Sequence, residues 1–217
     1  MDSLTQIVHG GTLAATIVPA GHRRRALVYG AALGTLPDLD VLIRYGDPVA
    51  DFTYHRSFSH SLFLLSLLAP LLWACCRRLD ACIRAEPRRW LWAFWLALIT
   101  HPLLDAMTIY GTQLLWPLNP TPFGVGSVFI IDPLYTLPLL VAMIWTARRP
   151  LSVGASRALG VSLVLSTAYL GWSVLAQRHV EAHARAALGA APDAQLLALP
   201  SAFNTLLWRV LVREAGG

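Results

Sequence analysis

Long apolar blocks constrain this chain more than any other feature of its sequence. Each block is close in length to the roughly 20 residues that a helix needs to cross the hydrocarbon core of a bilayer. The six blocks are residues 4–20, 26–43, 58–75, 90–109, 127–147 and 158–176. Only 13% of the 217 residues are charged, against about 25% in an ordinary soluble domain. We therefore predict an all-α, polytopic membrane helix bundle with about five or six transmembrane helices.

Apart from histidine, the basic residues of this chain are all arginine, because the sequence contains no lysine. The loops after the first, third and fifth blocks hold Arg23, Arg24, Arg25, Arg77, Arg78, Arg84, Arg88, Arg89, Arg148, Arg149 and Arg157. The opposite loops hold Arg44 and Arg56. Because basic loops stay on the cytoplasmic side, we predict a multi-pass membrane protein whose arginine-rich loops are cytoplasmic. The same distribution argues against a nucleic-acid partner.

Ionisable side chains within membrane helices cost about 2.5–3.5 kcal/mol each on insertion, and they are usually functional. The arginine-derived topology places all such groups of this chain toward the extracytoplasmic ends of the blocks. They are His9, Asp38, Asp40, His55, His60, His101, Asp105 and Asp132. Chance would scatter them over both membrane sides. Their convergence predicts one shared polar site that faces the extracytoplasmic side.

The residue types at this site favour a metal. His101 and Asp105 are four residues apart, on one face of a helix. His55 and His60 are five apart, and they converge if Ser57 or Ser59 caps the following helix. A mixed set of histidine and aspartate favours zinc, manganese or iron over a thiolate site. The predicted metal ligands are Asp38, Asp40, His55, His60, His101, Asp105 and His9.

Each motif also has a structural interpretation when it is taken alone. Asp38 can end a helix, Asp132 can cap one that starts at Pro133, and His9 can be a packing residue. Two other functions stay open, namely a metal or proton transporter or channel and a non-catalytic membrane scaffold. The sequence has no evident inverted repeat, which disfavours a transporter. A hydrogen bond between membrane helices is worth only about 0.6 kcal/mol on average. This gain is too small to explain so many ionisable groups in a scaffold, so the scaffold is disfavoured.

The last segment, residues 177–217, is less apolar than the blocks. Its stretch VEAHARAALGA predicts a helix, and the alternation in TLLWRVLVRE predicts a strand. This strand has no evident pairing partner in the sequence. We therefore predict a transmembrane domain over residues 1–176 and an extracytoplasmic tail over residues 177–217 that begins a truncated domain.

The combination of GTLPDLD, YHRSFSHSL, THPLLDAMTIYGTQLLWP and FIIDPLY resembles a bacterial inner-membrane family. This is the YdjM-like group of membrane-bound metal-dependent hydrolases. The resemblance covers nearly the whole chain, and the stretch around HPLLD is its most specific part. The family is in turn distantly similar to zinc-dependent phospholipases C and single-strand nucleases, which bind zinc through His and Asp on helices.

The resemblance implies site residues as well. The family motifs PD-x-D, HR-x-x-(S/T)-H and H-x-x-x-D correspond here to Pro37, Asp38, Asp40, His55, Arg56, Ser59, His60, His101 and Asp105. Relatives often carry a histidine where this chain has Gln6, which is a poor zinc ligand. His9 lies one turn further on and is the candidate substitute.

Residues and resemblance together predict a membrane-bound hydrolase. Hydroxide bound to one or two divalent metals, with zinc favoured, attacks a phosphoester or another ester. The substrate is expected to be a lipid or to be linked to one, within the lipid bilayer. Asp40 or Asp105 acts as general base, and Arg56 steadies an anionic group. Thr112 and Gln113 are expected to line the entrance, and the oligomeric state stays open.

Overall fold

The computed structural model describes residues 1–47, 54–189 and 194–213. Within these residues the chain forms α1 (Ser3–Ile17), α2 (Arg23–Thr35), α3 (Leu62–Leu79), α4 (Ala81–Ala85), α5 (Pro87–Asp105), α6 (Pro133–Arg148), α7 (Val153–Leu188), β1 (Gln195–Pro200) and β2 (Trp208–Arg213). A 3-10 segment, Leu36–Leu42, continues from α2, and a short one, Phe58–His60, precedes α3. Each of the six predicted blocks overlaps an α-helix, so the mostly helical fold is confirmed.

Two of the helices, α3 and α7, are long and apolar enough to cross a membrane. Only 11% of the apolar window of α3 and 22% of that of α7 is buried within the protein. The core helix of a soluble protein would bury most of such a window. At 36 residues, α7 is about 54 Å long. It therefore exceeds the roughly 30 Å of a hydrocarbon core.

The interior is organised around α5. Its side chains Trp90, Phe94 and Leu98 are almost completely buried. Helices α1, α2 and α3 pack directly against α5, and α6 packs against both α1 and α7. A second group of buried side chains, including Val8, Leu104 and Tyr135, joins α1, α5 and α6. This arrangement brings the C-terminal end of α5 next to the segment that follows α2.

The first two blocks are rich in glycine and alanine, which predicts close helix packing. A Cβ atom on Gly30 would collide with the carbonyl oxygen of Gly10, and one on Gly34 would collide with that of Gln6. The backbones of α1 and α2 are therefore in direct contact. This contact confirms the prediction, and it fixes the end of α2 beside the C-terminal turn of α5.

The tail differs from its prediction in one respect. The predicted strand is present as β2, but the expectation that it lacks a partner is wrong. It pairs antiparallel with β1, so that Gln195 lies opposite Arg213 and Pro200 lies opposite Trp208. Helix α7 continues through residue 176 without a break. The division into domains at 176 stays a prediction.

Candidate metal centre

Four side-chain donor atoms converge where the end of α2, the entry to α3 and the end of α5 meet. They belong to Asp38, His60, His101 and Asp105. His60, His101 and Asp105 are completely buried, whereas 18% of the Asp38 side chain is exposed. Access to the cluster from outside the protein therefore lies on the side of Asp38.

Local structure places each of these side chains. Pro37 lies in the first turn of the 3-10 segment that carries Asp38. His60 ends the short 3-10 turn before α3, whose N-cap is Ser61. The predicted caps Ser57 and Ser59 are thus wrong, because Ser61 accepts the hydrogen bond from the amide of Leu64. His101 and Asp105 lie on the last turns of α5, as their spacing predicts.

The hydrogen bond of His101 fixes its tautomer. Its Nδ1 lies 2.6 Å from the carbonyl oxygen of Gly34. A carbonyl oxygen accepts only, so Nδ1 carries the proton. In the neutral imidazole, Nε2 then presents a lone pair to the cluster. This is the form in which histidine binds a metal through Nε2.

A chain of hydrogen bonds sets His60 in the same way. The hydroxyl of Ser59 donates to Oδ2 of Asp40 at 2.5 Å, because a carboxylate only accepts. The Ser59 oxygen lies 2.9 Å from Nδ1 of His60 and accepts the proton of that nitrogen. The Nε2 atom of His60 therefore also presents a lone pair to the cluster. Asp40 therefore orients His60 indirectly, through the hydroxyl of Ser59.

The two imidazole Nε2 atoms lie at short distances from each other and from both carboxylates. Nε2 of His60 lies 3.1 Å from Nε2 of His101, 3.4 Å from Asp38 and 3.2 Å from Asp105. Nε2 of His101 lies 3.3 Å from Asp38 and 3.5 Å from Asp105. Donors about 2.0–2.2 Å from a tetrahedral zinc ion are separated by about 3.3–3.6 Å. The donor set fits one ion of this size.

The charge of the cluster also favours a cation. Two Nε2 atoms 3.1 Å apart can share one proton at most, since two protons would collide. Asp105 lies against Arg56 and the N-terminal amino group of Met1, while Asp38 faces the two imidazoles. Oδ2 of Asp105 is buried without a hydrogen-bond partner in the described part of the chain. Buried polar atoms are rarely left in this state, and a divalent cation satisfies the carboxylates and both imidazoles at once.

The other carboxylate oxygen of Asp105 is held by neighbours. Gln6 donates from Nε2 to Oδ1 at 3.2 Å and also to the carbonyl oxygen of His101 at 3.2 Å. The backbone nitrogen of Met1 contacts the same Oδ1. Gln6 therefore orients Asp105 and need not be a ligand itself. In the sequence Gln6 stands out only as a poor zinc ligand, so this orienting role is not predicted from it.

Arg56 lies beside the cluster, and only 7% of the residue is exposed. Its backbone is in the left-handed region at φ 66°, where residues other than glycine are uncommon and often functional. Its Nε is 3.5 Å from Oδ2 of Asp105 and has no hydrogen-bond partner among the described residues. Nη1 reaches the hydroxyl of Thr108 at 3.4 Å. The guanidinium group can therefore offer donors to an anion at the cluster.

The structure places the other predicted site residues outside the four-donor group. Nδ1 of His55 donates to Asp40 at 2.9 Å. Asp40 also accepts from the backbone amide of Arg56 at 3.0 Å, so both of its oxygens are engaged. His9 contacts the hydroxyls of Tyr135 at 2.9 Å and Thr100 at 3.2 Å. The ligand roles of His55, Asp40 and His9, and the general-base roles, stay predictions.

The predicted entrance residues lie beside Arg56. The backbone amide of Gln113 donates to the carbonyl oxygen of Arg56 at 3.0 Å. Thr112 is completely buried, so its side chain does not line an open surface. Asp132 caps α6 ahead of Pro133, which confirms the capping interpretation.

Known proteins place the chain in a family. Residues 1–180 match the family described as YdjM inner membrane protein. The uncharacterized protein YfhP of Bacillus subtilis (strain 168) is 28% identical over 159 residues, covering 68% of this chain. The chain spans 47% of the length of that relative. No solved structure matches. The family match includes all four donors of the cluster, and the chain belongs to the YdjM inner membrane protein family.

Proposed function

We propose that this protein is a membrane-bound metal-dependent hydrolase that acts on a phosphoester or another ester of a lipid or lipid-linked substrate. One observation carries the proposal. Two imidazoles with fixed tautomers each place Nε2 within 3.1–3.5 Å of the other imidazole and of both carboxylates. Structural polar clusters pair donors with acceptors, whereas this one brings acceptors together.

Asp38, His60, His101 and Asp105 hold one divalent metal in this proposal, with zinc favoured and manganese or iron as alternatives. Such an ion supplies Lewis acidity and lowers the pKa of water at the site. Asp40 is proposed as a positioning residue, because it orients His60 through Ser59. Hydrogen-bonded groups behind a ligand commonly fix its direction and basicity.

Arg56 is proposed to bind the anionic part of the substrate. Its side chain is buried, its Nε is unpartnered among the described residues, and it lies within 3.5 Å of Asp105. A guanidinium group can donate two parallel hydrogen bonds to a phosphate. A phosphoester therefore fits the site better than an uncharged ester.

The membrane arrangement belongs to the same proposal. Helices α1, α2, α3, α5, α6 and α7 are proposed to supply the five or six spans, about 20 residues each with their flanking turns. The arginine-rich loops would then be cytoplasmic and the metal cluster extracytoplasmic. Residues 177–217 would extend from the membrane domain on the extracytoplasmic side.

The test combines metal content with hydrolysis. Purified protein should contain close to one equivalent of a transition metal by elemental analysis. His101→Ala should lose the metal and the hydrolysis of a lipid phosphoester such as phosphatidic acid. Asp132→Asn is the matched control, since Asp132 is as buried as Asp105 but lies outside the cluster. Wild-type protein that holds no transition metal after incubation with zinc would overturn the proposal.

A further inference from the structure

An apolar groove of about 530 Å³ lies between α3 and the 3-10 segment that follows α2. One wall consists of Leu64, Leu67 and Leu71 on α3. The opposite wall includes Leu39 and Ile43. These side chains are hydrocarbon only, so both walls offer dispersion contacts.

One end of the groove lies next to the metal cluster. Pro37, Asp40 and Ser59 line that end. Pro37 precedes the cluster residue Asp38, and Ser59 precedes and hydrogen-bonds the cluster residue His60. Asp40 and Ser59 are hydrogen-bonded to each other at 2.5 Å. This end of the groove therefore borders the two residues that position His60, on the Nδ1 side of its ring.

The other end of the groove opens on the surface of α3. Leu67 is 66% exposed and Leu71 is 63% exposed. Helix α3 is long and apolar enough to cross a membrane, and little of it is buried. An exposed apolar surface of this kind faces either a partner or lipid. From Leu64 to Leu71 the wall is about 10 Å long, roughly a third of a hydrocarbon core.

We propose that this groove binds the hydrocarbon tail of a phosphate-bearing membrane lipid, whose phosphate reaches Arg56 and the metal cluster. The lipid enters sideways from the bilayer between α3 and residues 36–43. This assignment rests on the proposed function for the fate of the phosphate, while binding of the tail stands by itself. The groove is open to the acyl region at one end and ends at the polar side chains of Asp40 and Ser59, next to the cluster, at the other.

The groove orients the lipid more than it adds affinity. A tail that moves from the bilayer into the groove leaves one apolar environment for another, so apolar burial drives little of the binding. Most of the affinity must then come from the phosphate at Arg56 and the metal. A lipid with the same tail but no phosphate should show no preference for the groove.

A second apolar groove supplies an internal control. It has a volume of about 400 Å³ and lies between α6 and α7, lined among others by Leu137, Val141, Val161 and Leu165. Its described lining residues include none of the cluster and none of the neighbours that position it. A lipid that merely fills surface grooves would occupy both.

The experiment uses the full chain, loaded with zinc and reconstituted in nanodiscs. The probe is phosphatidic acid with a photoreactive diazirine in the middle of one acyl chain, and labelled residues are located by mass spectrometry. We expect residues 36–43 and 64–71 to be labelled at least fivefold more than the groove between α6 and α7. Diacylglycerol with the same diazirine chain should label both grooves equally.

Two matched substitutions sharpen the result. Leu67→Trp should fill the first groove and reduce its labelling at least fivefold. Leu165→Trp makes the same change in the second groove, at a side chain of similar exposure (54%), and should leave labelling of the first groove unchanged. Both residues face outward, so both variants should fold, which circular dichroism checks.

The outcomes separate the two proposals. Equal labelling of both grooves by phosphatidic acid, or labelling of the first groove by diacylglycerol to the same extent, overturns the lipid groove. If hydrolysis of a water-soluble phosphoester persists in that case, the proposed hydrolase stands without it. Selective phosphate-dependent labelling in a protein that neither binds metal nor hydrolyses a phosphoester keeps the groove and removes the hydrolase.

Discussion

Asp105 and Asp132 are both completely buried carboxylates, yet their surroundings differ in kind. Asp132 accepts from the amide of Leu134 at 3.0 Å through one oxygen and from the hydroxyl of Tyr169 at 2.8 Å through the other. Oδ2 of Asp105 faces two imidazole nitrogens that carry lone pairs. Asp132 is thus a structural group with its hydrogen bonds made, whereas Oδ2 of Asp105 has no hydrogen-bond partner among the described residues.

The histidines divide in the same way. Both ring nitrogens of His9 are within hydrogen-bond distance of hydroxyls, those of Tyr135 and Thr100. His60 and His101 use Nδ1 for hydrogen bonds to protein and direct Nε2 at each other. Burial alone therefore does not identify a site. The distinguishing property is whether each buried donor or acceptor has a hydrogen-bond partner, and substitution of one partnered and one unpartnered carboxylate tests it.

The largest effect should appear on metal binding by the two aspartate variants. Zinc at about 1,000 times its dissociation constant should stabilise the wild type by about 4 kcal/mol. Asp105→Asn should abolish this metal-dependent stabilisation, because a neutral amide is a poor ligand. Asp132→Asn should keep it. Differential scanning fluorimetry of each protein, with chelator and with zinc, measures the difference.

The stability of each protein in chelator is the reference in that experiment. It removes any general destabilisation that the substitutions cause. Equal zinc-dependent shifts in Asp105→Asn and wild type would contradict the distinction between the two aspartates.

A smaller effect is expected for the residues behind the ligands. Ser59→Ala removes the acceptor of the Nδ1 proton of His60, and the tautomer and direction of that ring are then no longer fixed. Loss of such a supporting group typically costs about 10- to 100-fold in metal affinity. Competition with a fluorescent zinc chelator measures this change.

Ser57→Ala provides the control for that experiment, because the Ser57 hydroxyl donates to the carbonyl oxygen of Tyr54 and not to the cluster. Its zinc affinity should equal that of the wild type. An unchanged affinity in Ser59→Ala would show that the relay from Asp40 does not set the metal site.

The sequence was sufficient to predict what depends on local pattern. Apolar blocks predict the helices, the spacing of His101 and Asp105 predicts their common face, and Asp132 ahead of Pro133 predicts a cap. The uneven distribution of arginine predicts that the polar residues lie at one end of the helices, and four of them converge there. The existence of a shared polar site could therefore be foreseen.

The roles within the site could not be foreseen, because they depend on contacts between distant segments. Gly34 offers a carbonyl oxygen to His101 across 67 positions of sequence. Asp40 turns away toward His55 and Ser59, although its spacing from Asp38 suggests a pair of ligands. The partner of β2 also escaped prediction, since the alternation of β1 is short and the sequence around it is rich in alanine.

A structural effect without a metal effect is expected for Asp132→Ala. This change removes the cap of α6 and leaves the hydroxyl of Tyr169 without its acceptor. Loss of an N-cap costs about 0.5–2 kcal/mol, and the lost hydrogen bond adds about 1 kcal/mol. The melting temperature in chelator should fall, while the zinc-dependent shift stays at its wild-type value. A reduced zinc-dependent shift would place Asp132 in the functional class after all.

The smallest effect should come from Asp80, a satisfied carboxylate at the opposite end of the helices. It accepts from Arg25 at 2.6 Å and from the amide of Cys82 at 2.8 Å. Burial by itself raises the pKa of Asp80, but the hydrogen bonds from Arg25 and Cys82 outweigh it and hold the pKa below its usual value. Arg25 is 57% exposed, so solvent screens the pair and its contribution to stability should be small.

The sign of the pH dependence follows from the lowered pKa of Asp80. The stabilisation is present above the unfolded-state pKa of about 3.9, and it is lost as the pH falls through the folded-state pKa. Asp80→Asn should therefore melt slightly below the wild type at pH 7, and this difference should shrink below about pH 4. Zinc must be absent from these samples, because acid also protonates the cluster. A difference that grows on acidification would mean that Asp80 is not held ionised by Arg25.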